Sequence, residues 1–255
     1  MVISKYKSKI DLNKDLIKNY IKFFKNYKFA DTLENLKADF NNTLSINLDK
    51  TYKVENYNYN LLGNIKNSKF AIKKIIKNNF IKNEIKDIYL SNFQLAMKFN
   101  PEIIKLEGKG KYSLNNSDFL KINLDNQIKK DKFNLSLNFD YGERLQLDII
   151  NYKKTKDTTA NLSLNFEKNK NQIKINKLNF SEGKNSIQIE DLNFRGNKFL
   201  SLKSISVETL NNNFSIKNKK KIIIKGSKFD ATNLAKFFNN QGDENIFKSF
   251  NKDIE

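Results

Sequence analysis

Along most of this chain, apolar and polar residues take turns. From about residue 40 onward the period is two. TLSINLD puts Leu44, Ile46 and Leu48 on one side. TYKVENYNYNLL continues with Tyr52, Val54, Tyr57, Tyr59 and Leu61, with a slip near Glu55 that reads as a bulge. NFQLAMKFN aligns Phe93, Leu95, Met97 and Phe99, and GKGKYSLN leads into FLKINLDN. KFNLSLNFD aligns Phe133, Leu135, Leu137 and Phe139. ERLQLDII follows with Leu145, Leu147 and Ile149, and Asp140–Glu143 between the two predicts a hairpin turn. ANLSLNFEK aligns Leu162, Leu164 and Phe166. NQIKINKLNF aligns Ile173, Ile175, Leu178 and Phe180, joined to the previous run by the short polar loop 168–171. NSIQIEDLNF, FLSLKSISVETL, NNFSIKN and KKIIIKG extend the series. The strands recur every ~8–12 residues with no helix between them, the signature of antiparallel rather than βαβ architecture.

The N-terminal region departs from this period. Leu12, Leu16, Ile17, Tyr20, Ile21 and Phe24 recur at helical spacing, so residues 11–24 predict a helix started by Asp11 or Asn13. Residues 30–37 predict a second short helix. The organisation expected is a helical segment over 1–39, an antiparallel β region over 40–229 and a short helical segment over 230–255. The strand alternation is one-sided, with Lys, Asn, Ser, Asp and Gln on the other face. Such a face fits two arrangements, a closed sandwich or a long curled sheet lining an elongated groove.

Composition narrows the chemistry. The 255 residues include no cysteine and no histidine. Zinc sites, Cys-His nucleophiles and Ser-His-Asp triads are excluded within the chain. Asp140, Glu143 and Asp148 gather near one predicted hairpin, but as a surface turn, not a catalytic pair. EGKGK, residues 107–111, lacks the Gly-Lys-Ser/Thr ending of a phosphate loop and reads as a strand with a bulge. No catalytic residue, cofactor or metal is expected. The formal net charge is +19, yet the lysines are spread along the chain at positions facing water. The densest basic run, KNKKKIIIKGSK, reads as a lysine-protected sheet edge or a phosphate contact. No stretch reaches the ~18 apolar residues of a membrane-spanning helix.

Near the C-terminus the pattern switches. IKGSKFDATNLAKFF runs from a β-branched strand through Gly226 to Asp230, then takes helical spacing at Leu234, Phe237 and Phe238. Asp230 stands at an N-cap, able to accept hydrogen bonds from the amides of Thr232 and Asn233. This stretch resembles an element of the AsmA-like family of bridge-like lipid-transport proteins (the TamB and YhdP type), where amphipathic strands are punctuated by G-x-x-x-D segments leading into a short helix. LNFSEGKNSIQIEDLNF, LKSISVETLNNNFSI and LEGKGKYSLN are similar in style to that family's strand repeats.

The resemblance implies much. Family members are anchored in the inner membrane by an N-terminal helix and cross the periplasm as a long β-groove with a lipid-lined inner face. They are implicated in moving phospholipid to the outer membrane. On that basis the fold expected is mainly β, a long curled antiparallel sheet forming an elongated apolar groove, with a few short helices at the N-terminus and near the C-terminus. The chain is read as an internal segment of a longer periplasmic protein, reaching the membrane through other parts of it and binding phospholipid acyl chains. The expected groove wall is Phe133, Leu135, Leu137, Phe139, Leu145, Leu147, Ile149, Leu162, Leu164, Phe166, Ile173 and Ile175. Nucleic acid is not an expected partner. The alternatives are a basic β-rich nucleic-acid module, with binding that falls steeply with salt, or a surface β-protein whose apolar face is closed and dry.

Overall fold

A computed structural model describes residues 1–20, 32–76, 84–196, 198–219 and 221–233. The fold is mainly β and antiparallel, and the strands do not close into a barrel. The described residues fall into two compact units that part between Lys130 and Asp131. Within each unit, hydrogen-bonded neighbours follow sequence order.

The first unit holds β1 (Val2–Leu12), α1 (Lys14–Tyr20), β2 (Leu33–Leu48), β3 (Val54–Ile76), β4 (Ile85–Phe99), β5 (Ile103–Ser113) and β6 (Leu120–Lys129). Two expectations change here. Val2–Leu12 is a strand paired along its whole length with β2, Ile10 opposite Ala38 and Leu12 opposite Leu36. Of the helical segment expected over 1–39, the described residues 2–12 and 33–39 are strand. The helix begins later than expected, at Lys14, with the Asn13 Oδ1 before it accepting the Leu16 amide at 3.0 Å. Asp11 instead lies in β1, with Lys37 Nζ 3.0 Å from its carboxylate. The second predicted helix, 30–37, is strand from Leu33 on, because Leu33 and Leu36 are drawn into pairing with β3. Residues 21–31 lie outside the described residues.

The bulge at Glu55 is present. Asn47 pairs Asn56 and Leu48 pairs Val54, leaving Glu55 unmatched. The core of this unit is Ala38, Phe40, Ile65 and Phe93. Two glycines make room for Phe93. A Cβ at Gly108 would stand 2.3 Å from the ring, and one at Gly110 2.5 Å from the Phe93 Cα. Only residues without a side chain let that ring lie flat across β5. EGKGK is thus the floor beneath an aromatic ring, and the register shift opposite it falls in β4, between Ser91 and Gln94.

The second unit holds β7 (Lys132–Tyr141), β8 (Leu145–Leu147), a 3-10 turn (Asp148–Ile150), β9 (Tyr152–Lys154), β10 (Ala160–Asn169), β11 (Gln172–Glu182), β12 (Asn185–Arg195), β13 (Lys198–Ser201), β14 (Ser204–Thr209), β15 (Asn212–Asn218) and β16 (Ile222–Lys228). The sheet path is β7-β10-β11-β12-β14-β15-β16, with β13 also on β12. The predicted hairpin of β7 with ERLQLDII does not form. β7 pairs β10 in unbroken register, Tyr141 opposite Ala160 through Lys132 opposite Asn169. β8 pairs only β9, as a small excursion between the two. Three alternating residues, LQL, are too few to compete with the ten-residue β10 for the edge of β7.

Candidate functional site: the apolar face of the second unit

Paired residues across an antiparallel ladder point to the same face. The registers therefore assemble apolar rows across the second unit. One row runs Phe139, Leu162, Phe180, Ile187, Val207 and Phe214. The next runs Leu137, Leu164, Leu178, Ile189, Ile205, Ile216 and Ile224. A third joins Leu135, Phe166, Ile175 and Leu192. The last joins Phe133, Lys168, Ile173, Phe194 and Phe199. Phe133 and Phe166 meet edge to face, centroids 6.0 Å apart.

Nine of the twelve predicted wall residues come together on this face. They are Phe133, Leu135, Leu137 and Phe139 on β7, Leu162, Leu164 and Phe166 on β10, and Ile173 and Ile175 on β11. All nine are partly exposed. The opposite face is polar and internally bonded. Ser136 donates to Asn165 at 2.9 Å, and Asn138 donates to Ser163 at 2.6 Å and to Asn161 at 3.1 Å.

The other three, Leu145, Leu147 and Ile149, are not in the strand rows. They belong to the excursion, which folds over one end of the face as a cap. Its Ile150 and Tyr152 are buried with Ala160, Phe180, Ile187 and Val207, and Leu145, Leu147 and Ile149 pack against that cluster. The Tyr152 and Phe180 rings meet edge to face at 5.5 Å.

Polar contacts fasten the cap. Lys154, 2% exposed, donates from Nζ to four carbonyls, those of Gly142, Glu143, Thr155 and Thr158, at 2.6–3.1 Å. Desolvation lowers the pKa of this ammonium, opposed by the carboxylates of Glu182, Glu143 and Asp157. Tyr152 and Thr158 donate to Glu182. Burial acts to raise the pKa of that carboxyl, but hydrogen bonds from Thr158, Tyr152 and Asn185 outweigh it and leave it lowered. Burial pushes the Tyr152 phenol well above its usual range. Asn212, fully buried, donates to the Ile150 carbonyl at 2.7 Å and accepts the Asp230 amide at 2.9 Å.

Asp230 has two jobs. One carboxylate oxygen accepts the Thr232 amide at 3.0 Å, one of the two amide bonds expected of it. The other accepts Asn151 Nδ2 at 2.9 Å, which ties the strand's exit to the cap. The Thr232 hydroxyl and Asn151 amide lower the Asp230 pKa. The helix expected after Asp230 lies outside the described residues from 234 on.

Sequence reasoning missed Tyr152, Lys154 and Asn212. A lone lysine or asparagine carries no signal of burial, and YKK reads as surface. Ile187, Ile189, Ile205 and Val207 were legible in their strands' alternation and complete the rows. Asp140, Glu143 and Asp148 each bond a different group: Asn161, Lys156 and Gln146 respectively. Among the described residues, no three His, Cys, Asp or Glu side chains are grouped to hold a metal ion, and no helix is long and apolar enough to cross a membrane. Comparison with family models, curated proteins and solved structures finds no match.

Proposed function

We propose that this chain is a non-enzymatic segment of an AsmA-like protein, whose apolar β-face lines a groove that binds and conducts phospholipid between the inner and outer membranes. One observation carries the reading. The apolar rows from Leu137 and Leu164 outward are partly exposed along adjoining strands, while Phe180, Ile187 and Val207 in the row beside them are buried with a dedicated cap. A sheet evolved for a closed core would bury both. An open apolar face costs solubility, so its retention argues for a ligand. An acyl chain gains ~0.8 kcal/mol for each methylene it buries, with no polar anchor required. The periplasmic location and membrane attachment through other parts of a longer protein are part of the same proposal.

Gentle purification from a bacterial host, followed by native mass spectrometry and lipid extraction, tests it. Stoichiometric phospholipid is expected. It should be lost when Leu137→Asp and Leu164→Asp are combined, with the circular dichroism spectrum unchanged. A lipid-free, stably folded monomer would reject the groove, and salt-dependent binding of single-stranded nucleic acid would then favour the basic-module alternative.

A further inference from the structure

The two ends of the apolar face differ. On β10 the face-directed residues run Ala160, Leu162, Leu164, Phe166 and Lys168 in one unbroken alternation. Ala160 is wholly buried against the cap, whereas Lys168 is exposed. Lys168 stands between Phe133 and Ile173 in the last apolar row. A lysine there lays its methylene stem along the face and holds its ammonium at the rim.

We propose that Lys168 marks an anionic headgroup site. The phosphate of one phospholipid is held at this rim, and its acyl chain runs along the strands toward the cap. The proposal rests on the groove reading above and adds an orientation to it.

Three observations support that orientation. First, charge cannot enter at the cap. Its inner surface is Ile150 and Tyr152 packed on Phe180 and Ile187, and burying an unpaired phosphate there would be prohibitive. Second, the open end is basic. Lys132, Lys168, Lys170, Arg195 and Lys198 sit at the turns or strand ends there. The carboxylates nearby are Asp131, 3.9 Å from Lys170, and Glu167, which accepts Asn176 from the polar face. Neither reaches Lys168 in any ion pair among the described residues. Third, the length fits. Six residues from Leu162 to Lys168 span ~20 Å at ~3.3 Å each. One leaflet of a bilayer's ~30 Å hydrocarbon core is ~15 Å.

Isothermal titration of the full chain with three probes tests the site: dodecyl phosphate, a neutral dodecyl glycoside and inorganic phosphate, with both amphiphiles below their micelle concentrations. Dodecyl phosphate should bind more tightly than the glycoside. Lys168→Ala should weaken dodecyl phosphate about fivefold, the scale of one exposed charge contact, and leave the glycoside unchanged. Lys168→Arg should restore binding. Lys168 is exposed, so these variants keep the fold, as circular dichroism would verify. Equal affinity for both amphiphiles, or equal loss of both in Lys168→Ala, overturns the headgroup site and leaves the apolar groove standing. Inorganic phosphate binding as tightly as dodecyl phosphate makes the site one for a free anion and also overturns the proposal. Failure of both amphiphiles to bind rejects the groove itself.

Discussion

Truncating Leu164 to alanine asks directly whether the apolar face is open. Leu164 sits in its row between Leu137 and Leu178, and is partly exposed. Phe180, in the adjacent row of the same sheet, is 3% exposed beneath the cap. Full burial of a leucine is worth ~1.5–3 kcal/mol, so removing a partly exposed one from an open face should cost about 1–2 kcal/mol. No cavity term adds to this, because water fills the notch. Phe180→Ala leaves an enclosed void and should cost about 3–5 kcal/mol. Leu164→Asp sharpens the contrast. On an open face the carboxylate stays hydrated and the loss remains near that of Leu164→Ala. Under a second layer it would cost several kcal/mol more. Urea denaturation of wild type and the three variants, followed by circular dichroism, supplies the numbers, with a constant m-value required for comparison. A Leu164→Ala loss equal to that of Phe180→Ala, together with a collapse of Leu164→Asp, would refute the open face.

The cap and the helix junction yield the remaining predictions. Lys154→Met removes the donor to four carbonyls, and leaving them unsatisfied should cost about 1–3 kcal/mol. The loss should appear as faster hydrogen exchange confined to residues 142–158, and unchanged exchange there would mean the loop is held by its apolar contacts alone. At the other junction, Lys14 and Lys69 clasp Glu34 at 2.6 and 2.7 Å, linking α1 to β2 and β3. Their hydrogen bonds hold the Glu34 carboxyl down to about 2, from an ordinary 4.5. A depressed acid stabilises the fold above its unfolded pKa, so this contribution is present above pH 4.5 and is lost as pH falls toward 2. Glu34→Gln should lower stability at neutral pH by up to about 1 kcal/mol and flatten the acid limb of the stability profile. An acid limb identical to wild type would refute it.

Much of the β structure was legible because alternation fixes a face before any partner is known. β7, β10 and β11 fall where the sequence places them, and the Glu55 bulge follows from a single break in the period. Partnership was less legible. ERLQLDII adjoins KFNLSLNFD in sequence, yet β7 takes β10 across the intervening excursion, because ten paired residues outweigh three. The same gap misplaced Leu145, Leu147 and Ile149, which carry the right polarity but belong to the cap. At the N-terminus, Leu12, Leu16 and Ile17 satisfied a helical template, while the alternation of Val2, Tyr6, Ile10 and Leu12 with lysines and serines was a strand signal diluted by them. Lys154 illustrates the residue that no pattern reveals. Its role depends on four carbonyls that the fold gathers, and none is written beside it.

The sequential strand order has a consequence for how this protein comes into being. Within each unit most strands pair with the one made just before them, apart from the step across the cap and the step from β12 to β14 past β13. Little chain must be closed into long loops before a pairing is rewarded, so the sheet can grow by accretion as the chain leaves the ribosome. Pairings of that kind are nearly independent of what lies several strands away, as in solenoids. Insertion or loss of a whole hairpin would then change the extent of the apolar face without rethreading the rest. Length becomes a trait that can drift or be selected on its own, one pair of strands at a time.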